Sequence, residues 1–130
     1  MLGYLDFLFL GYAGRIGRLT YWVSLLVLGA LQVGAIYLLL LPSLGDLARL
    51  APHMAAFNDV VTMRVIIPCG IVSVLFLYPT YAVTAKRWHD RNKSGWWSLI
   101  ALVPVIGGLW YLIELGFLGG DDGANYYGSR

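Results

Sequence analysis

Three long apolar runs separated by polar stretches set the pattern of this chain: Leu19 to Pro42, Val65 to Ala85 and Trp96 to Leu118. None contains Lys or Arg, and Glu114 is the only carboxylate in all three. The hydrocarbon core of a bilayer takes about 20 residues of helix to cross. In hydrocarbon every backbone N–H and C=O must be satisfied within the segment itself, which selects helix for an isolated run. These runs are apolar all round, so no amphipathic period marks a water-facing side. The pattern predicts an all-α integral membrane protein, a single membrane domain with three transmembrane helices over 19–42, 65–85 and 96–118.

The polar stretches fill in the rest. Residues 1–18 are too short an apolar run to span and carry Asp6, and they lack the basic start and small-residue cleavage site of a signal peptide. They predict an N-terminal interfacial segment. Residues 43–64 predict an outer loop in which Leu44, Leu47 and Leu50 have the spacing of a short surface helix. Residues 86–95 predict a tight cytoplasmic hairpin. The tail, 119–130, is turn-rich, and its GGDDG lacks the alternating acids and terminal Glu of a calcium loop. Pro104 and the pair Gly107-Gly108 interrupt the third run. Should they break it, that run becomes a re-entrant hairpin and the tail returns to the side it left.

Composition strengthens the membrane reading. The chain is 59% hydrophobic and 12% charged, about half the roughly 25% charged residues of soluble domains. A water-soluble fold of 130 residues hides only ~60–70% of the surface its unfolded chain exposes, too little for this much apolar area. Cys69 is the only cysteine, which excludes an intramolecular disulfide and fits a buried, inert thiol. Net charge, +2, says less than its placement. Arg15 and Arg18 precede the first run, and Lys86, Arg87, Arg91 and Lys93 lie between the second and third. Arg49, Arg64 and Arg130 fall on the other side of a three-span protein. Six cations against three put the amino terminus in the cytoplasm and, with three spans, the carboxyl terminus outside.

Candidate chemistry concentrates in KRWHDRNKSGWW, residues 86–97. Lys86 and Arg87 suit a helix C-terminus and a snorkelling position at the headgroups. Asn92 suits a left-handed turn, and Ser94 suits the cap of the next helix, followed directly by Gly95. Trp96 and Trp97, matched by Tyr21 and Trp22, suit an aromatic belt. His89-Asp90 is not demanded by any of this. A metal or hydrolase site needs more His and Asp ligands, and His53 is expected on the opposite side. The plainer reading has Asp90 bridging Arg15 or Arg18 to the hairpin and so pinning the first helix. Glu114, an ionisable group at membrane depth, is expected to pair with Arg64. Catalytic residues, metal ligands and cofactors are not expected.

Three blocks resemble the domain of unknown function 805 family, small bacterial inner-membrane proteins. Gly14 to Trp22 is similar to its Gly-Arg-x-x-Arg-x-x-Tyr-Trp opening. Lys86 to Trp97 is similar to its Arg-Arg-Leu-His-Asp-x-Gly-x-Ser-Gly-Trp-Trp hairpin, departing at Lys86, Trp88 and Asn92. Gly123 to Gly128 is similar to its closing Gly-x-Asn-x-Tyr-Gly, which adds Asn125 and Gly128 to the candidate residues. The resemblance implies a multi-spanning protein of the bacterial inner membrane and brings no activity with it.

The reading that follows is a non-enzymatic membrane binding or structural module with a basic, aromatic cytoplasmic face. Its partners are membrane lipids, through anionic headgroups that attract each cation by about 1 kcal/mol, or a protein whose identity the sequence does not give. Self-association into a homo-oligomer is compatible with the small-residue spacing of Ala30 and Gly34, and no nucleic acid is expected. Two alternatives remain: a small oligomeric transporter or channel using Glu114 and Gln32, and a lipid-acting membrane enzyme using His89-Asp90.

Overall fold

The structure, a computed structural model, describes residues 2–50 and 54–129. His53 and Arg130 lie outside the described residues. Helix α1 (Leu2–Phe9) is followed by α2 (Arg18–Leu50), α3 (Met54–Val61) and α4 (Ile67–Asp90). A π-helical turn, Thr62–Ile66, joins α3 to α4, so the stretch Asn58–Asp90 is one apolar helical run. Then come a 3-10 helix (Gly95–Leu102), α5 (Ile106–Tyr111) and a closing π-helical segment (Leu112–Phe117). Two of these stretches, Arg18–Gly45 and Asn58–Asp90, are long and apolar enough to cross a bilayer.

The chain forms two compact units, Met1–Val27 with Tyr78–Arg130, and Leu28–Leu77. Within the second, Leu31, Leu38, Val74 and Leu75 are all more than half exposed, and Gln32 Nε2 donates to Ser73 Oγ at 3.4 Å. Ser73 Oγ in turn donates to Cys69 O at 2.8 Å. The first unit inverts the usual order of burial. Lys86, Arg87 and Asp90 are 0% exposed and Arg15 is 5% exposed, while Leu19, Leu102 and Val105 stand out at 77–78%. Large apolar side chains outside and charges inside suit a chain whose solvent is lipid.

Two expectations change. Residues 43–50 do not begin a connecting loop with a separate surface helix; they continue α2 through Pro42. Prolines are tolerated inside apolar membrane helices, and α2 runs on past Pro42 to Leu50. The third run, expected as one helix over 96–118, is two short arms joined by a sharp bend. Pro104 biases the residue before it away from helix, and Val103 is extended at φ −79°, ψ 114°. Val105 follows with φ 64°, ψ −64°, and Ile106 N donates to Pro104 O at 2.7 Å, the strained form of the γ-turn. The chain then doubles back. A methyl group added at Gly107 would lie 1.8 Å from Ile100 O, so only glycine lets the arms meet. At about 2.0 Å per residue for 3-10 helix and about 1.5 Å for α-helix, neither arm reaches the ~30 Å of a hydrocarbon core.

Val105→Gly is expected to raise stability by about 1 kcal/mol or more by relieving a β-branched residue held at positive φ. Gly107→Ala is expected to lower it, because the clash is with backbone. Thermal denaturation in mild detergent reads both, and a destabilised Val105→Gly would contradict the bend.

Candidate functional site

The end of α4 gathers the charged side chains of the first unit. Asp90 Oδ1 accepts from Arg15 Nε at 3.3 Å and lies 3.2 Å from its second terminal nitrogen. Asp90 Oδ2 accepts from Arg87, one helical turn back. The side chains of all three are fully buried. One carboxylate thus sits between two guanidiniums, whose other N–H groups go to backbone.

Those backbone acceptors fall in one segment. Arg87 Nε donates to Leu115 O at 2.8 Å, and Trp22 Nε1 to Gly116 O at 3.2 Å. Arg18 donates to Phe117 O at 3.0 Å, Arg87 again to Leu118 O, and Arg91 to Gly119 O. Arg15 reaches Asp121 O at 2.6 Å, Gly123 O and, at 3.0 Å, Gly128 O. Helices leave their last carbonyls without partners, and cations suit the negative end of the helix dipole. The five consecutive carbonyls 115–119 therefore each receive a side-chain donor. Lys86 does the same for the first helix, its ammonium bonding to Phe7 O at 2.6 Å and to Gly11 O.

The remaining candidate residues fall around this knot. Tyr21 is buried and packs edge-on to Trp22 at 5.9 Å, while the Trp22 ring covers Gly116. His89 Nδ1 faces Gly14 O at 3.2 Å, and its ring stacks on Tyr127 at 3.9 Å with 5° between planes. Asn125 Nδ2 donates to His89 O at 2.9 Å, and its Oδ1 accepts from Tyr127 N at 2.9 Å, closing a turn in which Asn125 and Gly128 exchange backbone hydrogen bonds. Gly128 takes φ +106°. Gly120 passes so close to Asp90 that an added methyl would lie 1.9 Å from its carboxylate. Ser94 Oγ accepts from Trp96 N at 3.4 Å, Gly95 is buried against Ala85, and Trp96 and Trp97 are exposed.

Among the described residues no three His, Cys, Asp or Glu side chains converge as a metal site would require.

Two readings of individual residues change. Lys86 and Arg87 do not snorkel to headgroups; their side chains are buried and engaged with backbone. Of the two partners expected for Asp90, Arg15 makes the contact. Glu114 does not pair with Arg64. Its carboxylate takes Arg91 Nε at 2.8 Å and the Lys93 ammonium, because the third run doubles back and returns residue 114 to the hairpin it left at residue 95. The sequence shows where the cations are but not that the carbonyls of 115–119 need them. The broken third run was the one available signal.

Two long apolar helices, with buried charge gathered at the end of α4, suit an integral membrane protein. The chain belongs to the family described as Protein of unknown function (DUF805), whose model matches residues 9–129. Inner membrane protein YhaH of Escherichia coli (strain K12) is 30% identical over 120 residues, covering 92% of this chain and 86% of its own length. Inner membrane protein YhaI of the same strain is 30% identical over 126 residues, with 93% and 86% covered. Uncharacterized protein YiiR is 30% identical over 142 residues, with 91% and 84% covered. No solved structure matches the chain. The relatives' names support a place in the bacterial inner membrane.

Asp90→Asn is expected to cost about 3–5 kcal/mol, the usual loss when a buried pair is broken from one side. Arg15→Lys keeps the charge, loses the fork geometry and falls between wild type and Arg15→Ala. Exchanging the partners, Arg15→Asp with Asp90→Arg, is expected to give no recovery, since a carboxylate at 15 would face the carbonyls of 121, 123 and 128. Thermal unfolding in detergent measures all of these, and recovery in the exchange variant would reduce the knot to a simple ion pair.

Proposed function

We propose that the chain is a non-enzymatic membrane module. Two helices span the bilayer, the third apolar run is a re-entrant hairpin, and the arginine–aspartate knot locks the cytoplasmic end. One observation carries this reading: the side chains with the greatest chemical potential, Arg15, Lys86, Arg87 and Asp90, are buried and engaged by the fold. What the module offers outward is an aromatic and apolar surface at the mouth of the hairpin, where Trp96 and Trp97 stand exposed. Membrane lipid is the partner such a surface fits.

The engagement of Glu114 by two cations favours this module over a transporter in which Glu114 lines a polar path. Both termini then share the cytoplasm, since the tail carbonyls bind Arg15 and the positive-inside rule puts the hairpin cations on that side.

A fluorescent protein fused after residue 130 is expected to fluoresce inside the cell, and a phosphatase fused there to stay inactive. An active phosphatase would restore three spans. Incubation of the purified protein with labelled inner-membrane phospholipids is expected to leave them unchanged. Product that disappears with His89→Ala would establish the lipid-acting enzyme instead.

A further inference from the structure

Beside His89 opens a cavity of about 220 Å³, walled by Tyr12, Tyr81, Ser94 and Trp96. It shares Ser94 and Trp96 with a larger hollow of about 420 Å³ whose other walls are Trp97 and Ile100. The two differ in character. The smaller carries three hydroxyl groups and an imidazole; the larger is almost wholly apolar.

The hydrogen-bond geometry leaves the smaller cavity rich in donors. Ser94 Oγ accepts from Trp96 N, so its own proton is directed elsewhere. The Nδ1 of His89 faces Gly14 O, which turns Nε2 away from that carbonyl. Among the described residues neither Nε2 nor the Tyr81 hydroxyl has a hydrogen-bond partner. The 3-10 helix begins at Gly95, and the amide ends of helices favour anions.

Electrostatics points the same way. No carboxylate lines the cavity. Asp90, next in sequence to His89, is already held by Arg15 and Arg87. A cation would find no counter-charge, whereas an oxyanion would find hydroxyl and imidazole donors. The apolar hollow joined at Ser94 and Trp96 then fits what such an oxyanion carries if it belongs to a lipid.

We propose that this double cavity seats a phospholipid, its phosphate among Tyr12, Tyr81, His89 and Ser94 and an acyl chain along Trp96, Trp97 and Ile100. The site rests on the reading of this end of the molecule as the membrane boundary. It gives the proposed module a defined ligand class in place of a generally basic face, since most of the cations that would form such a face are consumed by the fold.

The test uses the full chain, purified in detergent, stripped of lipid and examined by native mass spectrometry. Three probes are compared: phosphatidylglycerol, diacylglycerol with the same chains, and inorganic phosphate. A single phosphatidylglycerol adduct is expected, with diacylglycerol retained about tenfold less, a factor equal to about 1.4 kcal/mol. Inorganic phosphate at the same concentration is expected not to displace the lipid. The variant Tyr81→Phe with Trp96→Ala removes a hydroxyl without a partner and an exposed ring. It is expected to keep the melting temperature and lose about tenfold in retention.

Equal retention of diacylglycerol, or unchanged retention in the variant, would overturn the site. Displacement by inorganic phosphate would overturn the lipid as its source. Absence of an adduct in a protein whose fused tail still reports the cytoplasm would remove this site and leave the two-span module standing.

Discussion

A single carboxylate, Asp90, makes it possible to bury two arginines at the end of a membrane helix. Arg15 and Arg87 flank it with all three side chains out of solvent. Their remaining N–H groups bind carbonyls of residues 115 to 128. Without the carboxylate, two like charges would stand together in a region where isolated charge is costly. Without the arginines, a run of backbone acceptors would be left without donors in the same region, at about 1–3 kcal/mol each. Each half removes the penalty that the other half would incur.

This arrangement explains the form of the third apolar run. A run that crosses the membrane ends its carbonyls at the far headgroups, in reach of water. A run that turns back at Pro104 and Val105 brings its last carbonyls to the base of α4, where the protein itself must supply donors. Trp88 shows how closely the hairpin is seated: its ring lies 6.2 Å from Trp97 on one arm and 6.1 Å from Tyr111 on the other. Lys93 spans the same region, its ammonium over both the Trp88 and Trp97 rings and bonded to Glu114. The hairpin is thus fixed by aromatic packing along its length and by ion pairs at its base.

Much of this architecture is legible in the amino-acid order, because the signals involved are one-dimensional. Apolar length marks the first two helices, Ser94 marks the start of the third run, and Pro104 with Gly107 marks where that run breaks. The family motifs mark the residues of the knot. Their purpose is not legible, because it depends on which carbonyls lack partners, and that is settled only once the hairpin has doubled back. Arg87 looks like a headgroup anchor for the same reason: in sequence it borders an apolar run, and in the fold it lies beneath residues 115 and 118. Helix α2 overran its expected end because a proline reads as a stop in water, whereas an apolar helix continues through it.

The interdependence of Arg15 and Asp90 is the centre of this account, and a double-mutant cycle measures it directly. Arg15→Ala, Asp90→Ala and the double variant would be unfolded reversibly in detergent. Residues sharing a buried network couple by about 0.5–3 kcal/mol, whereas independent sites add within roughly 0.3–0.5. A shared buried network predicts coupling of about 1.5 kcal/mol or more, with the double variant less damaged than the sum of the singles. Losses that simply add would show that the two side chains stabilise the protein independently and that the knot is not what holds the hairpin in place.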